Sequence, residues 1–328
     1  MKILIIGAGG MIGAKLAQRL STQTRINSQD LDSLKLVDVV QPNSPATPSD
    51  SGLTIDCEIA DLTRKGVAES LVSDQPDIIF HLAAVVSGEA EADFDKGYLI
   101  NLDGTRFLLE AIRAEHEKNG YTPKVIFASS IAVYGAPFPE TIPDEFHLTP
   151  QTSYGTQKAI CELLIADYNR RGILQGMGLR LPTICIRPGL PNKAASGFFS
   201  NILREPLNGK PAILPVSDNV KHWFASPRTA INFLMHATTL SKDAIGLRCN
   251  LNLPGLCASV AEQITALEKA AGSEALKLIH REDDETIQSI VSGWPEAFDA
   301  QRALQLGFQS ETSFDEIIKV YLEDELQP

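Results

Sequence analysis

Short apolar runs alternate with longer stretches of helical period through the first half of the chain. Lys2–Ile6 reads as a buried strand, Met11–Leu20 as a helix and Leu34–Val39 as a second strand. A loop rich in Pro, Ser and Thr then runs from Gln41 to Gly52. Ile78–Leu82 is another apolar run, Gly97–His116 has a helical period, and Lys124–Ser129 is again strand-like, leading into a Pro-containing loop over 137–150. Ser153–Arg170 reads as a helix and Gly178–Arg187 as a strand. Strands in turn with helices predict an α/β fold: a Rossmann-like, doubly wound parallel sheet covered on both faces.

After Gly189 the texture changes. Pro and Gly become frequent, and short runs such as Ala212–Pro215 are separated by helical stretches at Thr229–Ala237, Ser259–Ala271 and Asp315–Leu326. The expected division is a dinucleotide-binding domain over 1–188 and a smaller substrate-binding domain over 189–328, with some C-terminal segments returning to the sheet. There is no internal repeat and no heptad pattern.

Charge narrows the partners. Net charge is −12 over 328 residues, which argues against a broad basic patch for nucleic acid or an anionic membrane. An anionic ligand must then be met by a few local donors. No run approaches the roughly 20 apolar residues that span a bilayer, and the apolar start is too short for a secretory leader. The five cysteines are scattered without a CxxC pair, as expected of reduced thiols in a cytoplasmic protein. The six histidines have no ligand spacing, so no metal is expected.

Four stretches carry chemistry. Gly7-Ala-Gly-Gly10-Met11-Ile12-Gly13 lies between the first strand and the first helix. Glycines there permit a tight turn, backbone approach to a pyrophosphate and close helix packing. Asp38 ends the second strand, where a carboxylate accepts ribose hydroxyls and repels a 2′-phosphate; Val39, Val40 and Gln41 offer that phosphate no cation, so NAD is expected over NADP. Asp61-Leu62 stands where the carboxylate can accept from the adenine amino group and Leu62 can pack on the ring. Finally, Tyr154 and Lys158 are four apart on a helix, so they share a face. An ammonium beside a phenol favours the phenolate, making Tyr154 a general base near neutral pH. Such a pair recurs by chance; its setting gives it weight.

That setting resembles the extended short-chain dehydrogenase/reductase family, which includes nucleotide-sugar epimerases and dehydratases. The resemblance covers roughly residues 1–228. It is carried by the glycine loop, Asp61-Leu62, His81-Leu-Ala-Ala84, Asn101-Leu-Asp-Gly-Thr105, Phe127-Ala-Ser-Ser-Ile-Ala-Val-Tyr-Gly135, Tyr154 to Lys158 and Arg187-Pro-Gly189. It implies that Leu82, Ala83 and Ala84 line the pyrophosphate and nicotinamide riboside, that Asn101 binds backbone or water near Lys158, and that Ser129 meets the cofactor through its backbone. Ser130 takes the catalytic serine position, donating to the substrate oxygen. Arg187, Pro188 and Gly189 close over the nicotinamide. The resemblance also implies a homodimer joined through helices of the first domain.

The second half departs from the nucleotide-sugar pattern. Where many such enzymes hold the diphosphate with an Arg-Asp pair, this chain has Lys221-His-Trp-Phe-Ala-Ser-Pro-Arg228. An insert, Val85 to Phe94, is expected to bring three acids to the site entrance and discourage a diphosphate. These stretches resemble a branch of the family acting on small sugar acids, implying oxidation of the hydroxyl next to the carboxylate. Arg187 is the first candidate for that carboxylate, the alternative being a structural ion pair. Ser87 and Asn192 are further candidates, with His222 and Arg228 weaker: one suits a packing histidine, the other an ion pair. The rivals are a nucleotide-sugar epimerase holding its NAD tightly and a non-catalytic NAD(H) sensor. Ile131-Ala132, in place of an acid pair beside Ser130, argues against a dehydratase.

Overall fold

Seven parallel strands form the central sheet of the computed structural model, which describes residues 1–23, 25–48, 51–189 and 195–326. β1 (Lys2–Ile6) leads through α1 (Met11–Ser21) to β2 (Ser33–Asp38), and β3 (Thr54–Ile59) follows. β4 (Ile78–His81) lies on the other side of β1, and beyond it come β5 (Lys124–Ser130), α2 (Ser153–Arg170) and β6 (Gln175–Leu181). β1 is Lys-Ile-Leu-Ile-Ile with its last four residues buried, the unbroken apolar run that a strand covered on both faces requires.

The strand order reverses between β1 and β4, because β1 pairs with β2 on one edge and β4 on the other. Their carboxyl ends therefore part to leave a crevice, the usual ligand position in such sheets. The expected helix Gly97–His116 is interrupted. A wide π turn occupies Tyr98–Asp103, and the regular helix begins at Gly104 and runs to Asn119. That turn carries the buried Asn101; π turns are frequent at functional sites.

The stretch Gly178–Arg187 is not one strand. β6 stops at Leu181, Pro182 has no N–H for the ladder, and β7 (Thr183–Ile184) belongs to a different sheet. β7 pairs in parallel with β8 (Lys221–Ala225), and β8 pairs antiparallel with β10 (Leu256–Ser259). This swerve carries Thr183 and Arg187 away from the main sheet and over the carboxyl ends of its strands.

Segments after 189 divide between two cores. α4 (Pro227–Thr239) packs Ala230, Phe233 and Leu234 into the main core, and β9 (Asn250–Asn252) extends the main sheet beside β6. α3 (Gly197–Leu207), β8 and the helix Phe314–Glu325 instead build a second core around Phe199, Ile202, Phe224 and Ile317. Among the described residues, no helix is long and apolar enough to cross a membrane. None of their His, Cys, Asp and Glu side chains gather as a metal site.

Candidate active site

The groove at the strand-order reversal is built from backbone. Gly7 has φ +98°, and a Cβ on it would lie 2.5 Å from the Ala83 nitrogen. A Cβ on Gly13 would lie 2.1 Å from the Gly7 carbonyl oxygen. Both positions thus require glycine, and α1 starts hard against β1 with no side chain capping Gly10. The resulting groove, about 420 Å³, is floored by Gly7, Gly10, Met11, Ile12 and Gly13, with Leu82 and Ala84 beside them. Its far end is lined by Ser129, Ser130, Tyr154, Lys158, Arg187 and Pro188. A helix start with no side-chain cap and a glycine floor, with a carboxylate at the end of β2 beyond the lining, fit a dinucleotide.

Asp38 supplies that carboxylate. It ends β2 and accepts from the Gly9 N–H at 2.9 Å and the Val39 N–H at 2.7 Å. Its neighbours Val39 and Val40 are exposed, so nothing beside it would neutralise a 2′-phosphate. Asp38, Asp61, Leu62, Ala83 and Asn101 are not among the groove's lining residues. Asp61 accepts from the Thr63 N–H and hydroxyl at 2.9 and 2.7 Å, and Leu62 is buried. Ala83 packs behind Gly7. Asn101 accepts from the Val85 N–H at 2.9 Å and donates to Gln157 at 2.7 Å, so it ties the segment after β4 to α2.

Ser130 and Tyr154 meet because α2 lies against the turn after β5. A Cβ on Gly155 would fall 2.1 Å from the Ala132 carbonyl oxygen, so only glycine lets the helix come this close. Its start is capped by Thr152, whose hydroxyl accepts from the Gly155 N–H at 3.1 Å, and by Glu91, which accepts from the Ser153 N–H at 3.0 Å. Burial pushes the Tyr154 phenol above its ordinary pKa, while the Arg187 guanidinium and a hydrogen bond with Ser130 pull it down.

Lys158 lies one helical turn beyond Tyr154 on the same face of α2. Its ammonium donates to the Ala128 carbonyl at 2.8 Å and lies 4.5 Å from the Phe127 ring centre and 5.7 Å from that of Tyr154. Burial lowers its own pKa to about 8, although Cys161 and Glu162 favour its charge. The Arg187 guanidinium is the cation that acts against the rise in the Tyr154 phenol's pKa.

A second cavity, about 170 Å³, opens on the other side of these residues. Ser87, Ser130, Tyr154 and Arg187 line it, joined by Thr183, His222, Trp294 and Pro295. Burial lowers the Arg187 pKa, and its stabilising neighbours are Tyr154 and Cys185 rather than a carboxylate. Arg187 is held from behind: its N–H donates to Ser200 at 3.1 Å, and Arg204 donates to its carbonyl at 2.8 Å.

The three acids of the insert do not reach the site. Glu89 pairs with Lys96, Glu91 caps α2, and Asp93 accepts from the Lys96 N–H at 3.0 Å. Among the described residues, neither cavity is lined by any carboxylate. Arg228 is outside both, paired with Glu323 and Asp324. Asn192 lies outside the described residues. Thr183, Ser200, Arg204, Trp294 and Pro295 escaped the sequence reading, since no motif joins them; Pro182 within an apparent strand was the available signal for the first.

The model of the NAD dependent epimerase/dehydratase family matches residues 3–223, and the chain belongs to that family. It is an NAD-dependent oxidoreductase of the extended short-chain dehydrogenase/reductase type. It is 44% identical to the D-erythronate dehydrogenase of Cupriavidus necator, over 99% of this chain and 98% of that one. It is 42% identical to the D-erythronate dehydrogenase of Haemophilus influenzae, over 98% of this chain and 99% of that one. A crystal structure described as the nucleoside-diphosphate-sugar epimerase from Agrobacterium tumefaciens superposes with a TM-score of 0.96 at 58% identity, covering 99% of this chain and 94% of that one.

Proposed function

We propose that the protein oxidises the 2-hydroxyl of a small sugar acid, D-erythronate to 2-dehydro-D-erythronate, with NAD. The observation that carries this reading is the 170 Å³ cavity shared by Ser130, Tyr154 and Arg187 and free of lining carboxylates. The two relatives named D-erythronate dehydrogenase support the choice of acid.

The proposal assigns each residue a role. Arg187 binds the substrate carboxylate through two parallel hydrogen bonds. Ser130 donates to the 2-oxygen and holds it beside Tyr154. Tyr154 removes the hydroxyl proton as general base; burial raises its pKa, and Arg187 and Ser130 act against that rise. Ser87, at the start of the short helix Ser87–Ala92, is a donor for a remaining oxygen. Lys158 holds the ribose of the dinucleotide, Asp38 its adenosine ribose and Asp61 its adenine, above the glycine loop and Ala83–Ala84. Bound NAD supplies the acceptor for the hydride.

The Agrobacterium protein's description favours a second reading, a nucleotide-sugar epimerase. The two relatives named D-erythronate dehydrogenase, matched over nearly the full length, favour the sugar acid over it. The homodimer remains part of the proposal. Phe94, Leu99 and Leu163 are exposed on elements that pack together around α2, and light scattering of the purified protein tests it.

The experiment for the reaction is NADH absorbance on mixing protein and NAD with four- to six-carbon aldonates, alongside Tyr154→Phe. NADH from D-erythronate, lost in the variant, is the expected result. No NADH from any aldonate, with NAD already bound to the purified protein, would favour the epimerase.

A further inference from the structure

Part of the acid cavity is an irregular segment far away in sequence. Gly293, Trp294 and Pro295 follow the helix Glu285–Ser292 and line the cavity with His222 and Thr183. The segment is fastened at three places. At its start the Trp294 N–H donates to the Val291 carbonyl at 3.0 Å. Farther along, Ile142 donates to the Ala297 carbonyl at 3.0 Å and accepts from the Asp299 N–H at 2.9 Å.

Between these anchors stands His222. Its Nδ1 lies 3.0 Å from the Pro295 carbonyl and its Nε2 2.7 Å from the Thr183 hydroxyl. A carbonyl only accepts, so Nδ1 carries the proton and Nε2 accepts from Thr183. Burial lowers this ring's pKa to about 4, which keeps it neutral and the bridge in this one sense. The ring also stacks on Phe199, with planes 4° apart, and lies 5.2 Å from the Trp294 ring. Both ring nitrogens being engaged, His222 has nothing left to offer a substrate. Its work is to join β7 to the segment that presents Trp294.

We propose that Trp294, held in place by the His222 bridge, limits the chain length of the acid that the cavity admits. The inference rests on the sugar-acid reading and adds to it the residue that separates four-carbon acids from longer ones. A rigid indole in the wall of a small cavity excludes an added hydroxymethylene by overlap. Removing the indole opens space for it.

The test is kcat/KM for four-, five- and six-carbon aldonates at saturating NAD, in the native protein, Trp294→Ala and His222→Ala. The ratio of six- to four-carbon activity rises about tenfold or more in Trp294→Ala, the scale on which a pocket distinguishes one methylene. It rises less in His222→Ala, where the indole is loosened rather than removed. NAD affinity is the control for folding, because none of these residues lines the dinucleotide groove. Should His222→Ala fail to fold, Trp294→Ala carries the test, its side chain being only half-buried on a loop. Equal losses for all acids, with the ratio unchanged, would overturn the proposal and leave the sugar-acid reading intact. Failure of the native protein to oxidise any aldonate would sink both.

Discussion

The dinucleotide groove and the cavity proposed for the acid share Ser130, Tyr154 and Arg187, yet they are made of opposite materials. The groove is shaped by missing side chains: at Gly7 and Gly13 a Cβ would strike backbone at 2.5 and 2.1 Å. The cavity is shaped by large ones, with Trp294, His222 and Arg187 converging from separate segments. A ligand common to many enzymes is met by backbone geometry, which tolerates little variation. The ligand peculiar to one enzyme is met by side chains, which can be exchanged without disturbing the sheet.

Tyr154 belongs to both regions, so its replacement has the largest effect. Tyr154→Phe lowers kcat about 10²- to 10⁴-fold, the usual worth of a general base, with the NAD dissociation constant nearly unchanged. An NAD affinity that fell as steeply would show that the phenol is chiefly a cofactor ligand.

Arg187→Leu separates the regions next. Loss of charged hydrogen bonds at about 1.5–3 kcal/mol raises the KM for the acid by about 10- to 150-fold. The same change removes the cation that favours the phenolate, so the rise of kcat/KM with pH moves to higher pH. A raised KM with an unmoved pH profile would divorce Arg187 from Tyr154. Gly13→Ala strikes only the groove. Overpacking of about 1–3 kcal/mol weakens NAD affinity roughly 5- to 150-fold, measured by titration, while the acid's KM at saturating NAD stays close to native.

The smallest effect places one buried histidine against another. His81 lies buried at the end of β4, its Nε2 2.8 Å from Thr105, with its pKa lowered to about 3 by burial and by Lys158. His222 is the corresponding ring of the cavity, at about 4. Both stay neutral in the fold while the unfolded chain takes up protons below about pH 6.5. Their contribution is complete above that pH and is lost as pH falls through it, down to about 4 for His222 and 3 for His81. Denaturant midpoints between pH 7 and 4 should therefore fall less in His81→Gln and His222→Gln than in the native protein. Unflattened curves would mean that neither ring is excluded from titration.

Much of the groove was legible in sequence because its constraints are local. The glycine loop, Asp38 and the helix Ser153–Arg170 each lie within one stretch whose spacing states its geometry, and the helix has the expected bounds. The cavity was less legible because its walls are brought together by the second sheet. Thr183 arrives through the break at Pro182, and Trp294 is pinned by a histidine 72 positions earlier, counting 294 minus 222. Charges misled for a related reason. Glu89, Glu91 and Asp93 were assigned to a site entrance by proximity to His81–Ala84, but a lysine and the backbone of a helix start were nearer partners. The spacing of Tyr154 and Lys158 states that they share a helix face, but not that the Ala128 carbonyl, 30 positions earlier, accepts from the Lys158 ammonium.

The acid-free lining of the two cavities has a consequence for how a substrate arrives. The protein carries a net charge of −12, so an approaching anion first meets repulsion and feels the guanidinium only at close range. Mobile salt ions screen that outer field beyond about 10 Å at 0.1 M ionic strength, while a cation walled in by protein is screened far less. On the proposed reaction, entry of the acid should therefore be quickened by moderate salt rather than slowed, the reverse of what a wholly positive funnel would give.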